Sequence, residues 1–181
     1  MSTTGRALSP QLISLRWQVF CATWFSYAGF YVTRKVFSVV KGPLKELLAL
    51  DDFGISHLWT TYLVAYMLGQ FFAAWLGSKT TSRSILLGGM GVSILCNLAM
   101  GFVLPMGPSA FWPLIAIMAV HGFAQATGWG HNVGIMANWT RHGERGTVMS
   151  FWGTSYQLGS IGAKSIAAFL FGWSGLLWSF W

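Results

Sequence analysis

Acidic residues are almost missing from this chain: there are four Asp and Glu in 181 residues, and all charged residues together make up 8%. An ordinary soluble domain carries about a quarter of its residues as charge, so this chain has too little to cover an apolar core in water. Cysteine is scarce too. Cys21 and Cys96 lie inside apolar stretches without metal-ligand spacing, which makes them packing residues and leaves the redox compartment unspecified. There is no phosphate-cradling glycine loop with its lysine, no pair of carboxylates within an apolar stretch and no metal-ligating cluster. The sequence therefore gives no basis for an enzyme, a bound metal or an organic cofactor. The net charge of +7 comes from Lys and Arg scattered in ones and twos, with no basic tract or readout motif, so nucleic acid is not the expected partner.

What the chain does have is apolar surface: 54% hydrophobic and 17% aromatic residues, including 11 Trp. Such tryptophan content suits a bilayer interface. Five stretches are long enough to cross a core of about 30 Å as helices: Trp17 to Val40, Leu58 to Leu76, Ile85 to Leu104, Phe111 to Trp139 and Val148 to Phe171. A sixth starts near Gly172 and stops at Trp181, too short to cross, so the sequence reads as ending inside an element. These runs are about twice the length of a barrel strand and lack two-residue alternation. Connections are expected at Lys41 to His57, Gly77 to Ser84, Pro105 to Ala110 and Thr140 to Thr147. Gly88, Gly89, Gly91, Gly153, Gly159 and Gly162 are expected where helices approach closely.

The apolar run after Arg16 is too long and too aromatic for a cleaved signal peptide, so it reads as the first helix. Arg6 and Arg16 precede it, Lys79 and Arg83 lie in the second connection, and Arg141 and Arg145 in the fourth. The positive-inside bias then predicts a multi-pass protein of the cell (inner) membrane with a cytoplasmic N-terminus. Residues 1–16 form a cytoplasmic segment and 17–181 the transmembrane bundle.

Ionisable groups at membrane depth are costly, so each is a functional candidate unless it reaches an interface. Tyr27, Tyr31, Arg34 and Ser38 fall at i, i+4, i+7 and i+11, one helical face. Arg suits an anion site there, because its planar fork grips phosphate or carboxylate oxygens bidentately and keeps its proton. Lys35 points about 100° away; ligand contact and snorkelling stand as equal readings for it. For Arg34 the snorkelling alternative weakens if the helix extends to Leu44 or beyond. His121, Gln125, Gly128 and Asn132 share a second face, and Ser150, Thr154, Gln157 and Lys164 a third. Together these stripes suit a water-filled cavity. Interhelical hydrogen bonding is the alternative for His121, Gln125, Asn132 and Gln157, and snorkelling for Lys164.

The segment Tyr27-Ala28-Gly29-Phe30-Tyr31-Val32-Thr33-Arg34-Lys35 resembles the first helix of organophosphate:phosphate antiporters of the major facilitator superfamily. So do Gly122-Phe123-Ala124-Gln125-Ala126-Thr127-Gly128-Trp129, Asn138-Trp139, Glu144-Arg145-Gly146 and Trp152, in that order. The resemblance implies an all-α, polytopic membrane helix bundle. The chain would be the N-terminal six-helix half of a two-half fold, truncated in the sixth helix and lacking a C-terminal half or a second copy of itself. It implies exchange of a phosphate ester, such as a sugar phosphate or glycerol 3-phosphate, for inorganic phosphate. Arg34 would hold the phosphate, with Lys35 beside it and Tyr27, Tyr31, Tyr66 and Gln125 lining the site. His121, Asn132, Tyr156 and Gln157 are further cavity candidates. Gln70 stands where relatives often carry a lysine, Ser78-Lys79 replaces an acidic-basic pair, and Tyr156 replaces a histidine. These departures keep a sugar-phosphate sensor of the same family, or a different organic-anion carrier, as alternatives.

Overall fold

A computed structural model describes residues 9–176 and 180. Among the described residues the α-helices are α1 (Pro10–Leu47), α2 (Asp52–Gly77), α3 (Ser82–Val103), α4 (Phe111–Gln125), α5 (Thr127–Trp139) and α6 (Arg145–Ser174). A 3-10 segment, Leu104–Ala110, joins α3 to α4, and Gly107 within it takes φ 61 to reverse the chain. Glycine suits that position because a side chain there would be strained.

The helices are longer than their apolar runs and the connections correspondingly shorter. Expected connection residues Lys41 to Leu47 continue α1, and Asp52 to His57 already belong to α2. A helix stops where its end groups are capped, not where hydropathy falls. Asp51 accepts a hydrogen bond from the Gly54 backbone N–H at 2.7 Å and starts α2, and Thr81 accepts one from Ser84 N at 3.3 Å and starts α3. Proline starts α1 as Pro10, where a missing N–H costs nothing. Between α1 and α2, Ala49 takes φ 49, an uncommon conformation for a residue with a Cβ.

Two further expectations are corrected. The span Phe111 to Trp139 is broken at Ala126, whose N–H is shared between the carbonyls of Gly122 (3.2 Å) and Phe123 (3.3 Å). The sixth element does not begin at Gly172, because α6 carries through Ser174 and the break comes at Gly175, with φ 83. Residues 177–179 and 181 of that expected element, and 1–8 of the expected cytoplasmic segment, lie outside the described residues.

Among the described helices one continuous run, Ser82–Trp139, has the length and apolarity to cross a membrane by composition alone, with a mean hydropathy of 1.9. Its 58 residues fold back on themselves at Gly107. Polar side chains along α1, α2 and α6 dilute their hydropathy while leaving their length, 38, 26 and 30 residues.

α1 packs chiefly on α6, α2 on α4, and α3 on both α4 and α5. One apolar core gathers Leu44, Leu58, Tyr62, Met100 and Met118, and a second gathers Tyr27, Tyr31, Met136, Trp152 and Ala163. In lipid, helices associate through close packing more than through burial, and four glycines supply it where α2 meets α4, α3 meets α4 and α5, and α1 meets α6. A Cβ on Gly122 would strike the Tyr62 backbone, one on Gly89 would strike Thr127, and one on Gly159 would sit 2.8 Å from Ala28 Cα. At Gly69 it would sit 2.8 Å from the Phe123 carbonyl oxygen. Of the six glycines expected at close approaches, Gly89 and Gly159 are found there; Gly88, Gly91, Gly153 and Gly162 have nothing within 4 Å. Composition cannot tell a glycine that faces a neighbour from one that faces outward.

Candidate functional site

α1 extends to Leu47, 13 residues past Arg34, a further length of about 20 Å. Arg34 therefore lies well inside the helix, and the extension that weakens a snorkelling role is present. Its guanidinium carbon sits 4.9 Å from the ring centre of Tyr66, 5.5 Å from that of Tyr62 and 5.7 Å from that of Tyr31. Each such cation–ring contact is worth about 0.5 to 2 kcal/mol, more as water is excluded. Three aromatic faces thus hold the cation while leaving its N–H donors uncommitted to any carboxylate among the described residues.

Tyr31 continues the aromatic wall. Its ring meets Tyr27 edge-on at 5.4 Å and Tyr156 edge-on at 5.3 Å. Tyr27 in turn touches Trp129 at 5.3 Å and stacks on Trp152 at 5.5 Å. Trp152 is fully buried and its indole N–H donates to Thr23 Oγ1 at 3.0 Å, which fixes α6 against α1. Expected site residues Tyr27, Tyr31, Arg34, Tyr66 and Tyr156 are therefore brought together from α1, α2 and α6. Ser38 shares their helical face in the sequence but does not join them; its hydroxyl donates to the Lys35 carbonyl at 2.7 Å.

Gln125 is buried, and its amide nitrogen donates to Thr33 Oγ1 at 2.7 Å, with His121 Nε2 at 3.3 Å. Thr33 Oγ1 in turn donates to the Phe30 carbonyl, while the Thr33 carbonyl accepts from Asn97 Nδ2 at 3.1 Å. This chain of bonds ties α4 to α1 and α1 to α3. It places Gln125 behind the arginine as an interhelical bond, the alternative reading of its sequence position. His121 is likewise buried, its ring meeting Tyr62 at 5.5 Å. Asn132, a cavity candidate with interhelical bonding as its alternative, is completely buried and donates to the Gly128 carbonyl at 2.8 Å within its own helix. The kink at Ala126 separates it from the His121 and Gln125 end of the stripe. Gln157 and Lys164 are exposed on α6.

Tyr62 is the residue that sequence reasoning passed over. It is 1% exposed, stands between Arg34 and His121, and its hydroxyl has no hydrogen-bond partner among the described residues. A buried hydroxyl left unpaired costs about 1 to 3 kcal/mol, a cost that a bound acceptor such as an anion oxygen would remove. Its signal was the spacing: Tyr62 lies four residues before Tyr66, on the same face of α2.

At the opposite end of the bundle, Arg16 forms an ion pair with Glu144 and donates from Nε to the Trp139 carbonyl at 3.0 Å. Arg145 donates to the carbonyl of Ala137 at 2.8 Å. A cavity of about 250 Å³ opens beside this pair, walled by Trp17, Phe20, Met136 and Phe151. Its apolar lining and distance from Arg34 in the chain set it apart from the tyrosine cluster.

A family model described as Major Facilitator Superfamily matches residues 19–181. The chain is similar to a glucose-6-phosphate exchanger of Xenopus laevis, 34% identical over 145 residues, covering 80% of this chain and 26% of that protein. It is also similar to a glycerol-3-phosphate transporter of Haemophilus influenzae, 29% identical over 147 residues, 81% of this chain and 30% of that protein. A hexose-6-phosphate:phosphate antiporter of Salmonella typhimurium is 24% identical over 152 residues, 84% of this chain and 33% of that protein. The chain thus spans about a third of the length of these curated relatives.

Proposed function

The chain belongs to the Major Facilitator Superfamily, and from that premise we propose that it supplies one face of the binding site of a carrier exchanging an organic phosphate ester for inorganic phosphate. Arg34 is the observation that carries this reading: a cation held by Tyr31, Tyr62 and Tyr66, with no carboxylate set against it. A guanidinium so placed offers two parallel N–H donors to phosphate oxygens. The unpartnered Tyr62 hydroxyl is a further donor at the same place. Tyr27 and Tyr31 shape the wall, and Gln125, through Thr33, sets the rotation of α1 that aims Arg34.

The bundle lies in the cell membrane as a multi-pass unit with the start of α1 in the cytoplasm. Arg16, Lys79, Arg83, Arg141 and Arg145 all lie at helix ends on that side, supported by the Arg16–Glu144 pair that joins the start of α1 to the start of α6. Exchange by alternating access requires a second face moving against this one, contributed by another helical unit or by a second copy of the chain.

The test is ligand binding by the chain in lipid nanodiscs, read from the fluorescence of Trp129 and Trp152 beside Tyr27. Glycerol 3-phosphate should give a saturable change that inorganic phosphate reverses, and Arg34→Gln should abolish it while helix content holds. A folded wild-type chain with no saturable response, or a response indifferent to phosphate, would sink the reading.

A further inference from the structure

The Arg34 cluster accounts for one cation, and two others stand near it: Lys35, half-buried on α1, and Lys164, exposed on α6. Lys35 Nζ lies 5.7 Å from the ring centre of Tyr31, the same ring that Arg34 approaches at 5.7 Å. The two cations are therefore no more than twice that distance apart, and they share one tyrosine. Lys35 is half-buried, and the charges that act on it are those of Lys164 and Arg34, both positive. Lys164 reaches it because α6 runs beside α1: Trp24 Nε1 donates to Thr154 Oγ1 at 3.1 Å, and Gly159 lies on Ala28. Carrying that register onward brings Lys164 level with Lys35.

Like charges held together repel unless something neutralises them, and the chain has nothing to offer. Its acidic residues are Glu46, Asp51, Asp52 and Glu144, all at helix ends. Asp52 is bonded to Lys45 and Glu144 to Arg16. No acid occurs between positions 53 and 143, or after 144. The neutralising charge must come from outside these residues. A phosphate ester brings a charge of about −2, which satisfies Arg34 and one neighbour and leaves the third cation over. A lysine turned toward the membrane surface would also stand clear of the aromatic wall, whereas Lys35 lies over Tyr31.

We propose that Lys35 and Lys164 form a second anion subsite beside Arg34, which selects phosphate esters bearing a second anionic group, a carboxylate or another phosphate. This rests on the phosphate reading of Arg34 and adds the substrate class to it. Tyr31 acts as the divider: Arg34 takes the first phosphate on one side, and the lysines take the second group on the other. Tyr156, edge-on to Tyr31, closes the wall from α6.

The experiment is a binding comparison with the chain in nanodiscs, using glycerol 3-phosphate, 3-phosphoglycerate and fructose 1,6-bisphosphate as probes. The doubly anionic probes should bind about tenfold tighter than glycerol 3-phosphate, about 1.4 kcal/mol. Lys164→Gln should erase that margin while moving glycerol 3-phosphate affinity less than twofold, and Lys164→Arg should restore it. A margin for 3-phosphoglycerate alone assigns the subsite to a carboxylate, and one for the bisphosphate alone to a phosphate. Equal affinity for all three probes in the wild type, or a margin that survives Lys164→Gln, would overturn the subsite and leave the Arg34 reading standing. Absence of binding by every probe would overturn both.

Discussion

Arg16 and Arg34 sit on the same helix, and the protein treats them in opposite ways. Arg16 is matched to Glu144, with the Trp139 backbone carbonyl accepting from its Nε. Arg34 is matched to three aromatic faces and, among the described residues, to no carboxylate. The first arrangement satisfies a charge and so fastens α1 to the α5–α6 junction. The second holds a charge in place without satisfying it, which leaves its hydrogen-bonding capacity for something that arrives. On the proposed reading, the first is a structural cation and the second a binding one.

Swapping each arginine for lysine tests the contrast most severely. Arg34→Lys should weaken glycerol 3-phosphate binding by about 100-fold, near 3 kcal/mol, because a point charge cannot make the bidentate contact. Arg16→Lys should leave binding within about twofold and instead cost about 1 kcal/mol in stability, because lysine keeps the charge but loses the Nε bond to the Trp139 carbonyl. Equal losses of binding from the two variants would dissolve the distinction.

The next test moves the aromatic roof while keeping the cation. Gly122 allows α4 to touch the Tyr62 backbone, with the Tyr62 carbonyl carbon 3.0 Å from where a Cβ would stand. Gly122→Val should push α2 away, costing about 1 to 3 kcal/mol in a denaturation titration. Phosphate affinity should fall with it, because Tyr62 and Tyr66 leave Arg34. Stability lost with affinity intact would mean that the rings are ornamental to binding.

A milder change removes one atom. Tyr62→Phe deletes a hydroxyl that has no partner among the described residues, so stability should hold or rise slightly. Ligand affinity should fall by about fivefold, roughly 1 kcal/mol for a lost hydrogen bond. An unchanged affinity would place the hydroxyl outside the site.

The smallest effect lies at the far end of α1, beyond the apolar stretch. Lys45 donates to Asp52 at 2.7 Å, and this hydrogen bond, with the lysine's charge, holds the Asp52 carboxyl below its ordinary value of 3.8. A carboxylate depressed in the folded state adds stability above its unfolded pKa and loses it as pH falls through the folded one. Acidification from pH 4 downward should therefore lower the thermal midpoint slightly more for wild type than for Asp52→Asn. Parallel curves would show that this exposed pair contributes nothing.

Arg34, Tyr27 and Tyr31 were legible because one helix carries them and helical spacing alone puts them on one face. Tyr66 entered through family resemblance. Tyr62 stayed hidden since its importance depends on how closely α2 meets α4, which Gly122 decides and which no periodicity reports. Gln125 and Asn132 looked alike as polar residues in an apolar run, yet one bonds across to Thr33 and the other bonds its own turn. The break at Ala126 lies between them, in a stretch that contains no proline to announce it. Helix ends were misplaced for a simpler reason: apolar runs mark where a helix meets oil, while Asp51 and Thr81 mark where it begins.

The close contacts at Gly69, Gly89, Gly122 and Gly159 carry a mechanical consequence. Side chains that touch can yield by rotating about their bonds, so a seam made of them has play. Backbone pressed on backbone has none. With α1 seated on α6, and α2 and α3 both on α4, in this way, a tilt applied at the Arg16–Glu144 end turns the unit as one stiff lever arm with Arg34 partway along it.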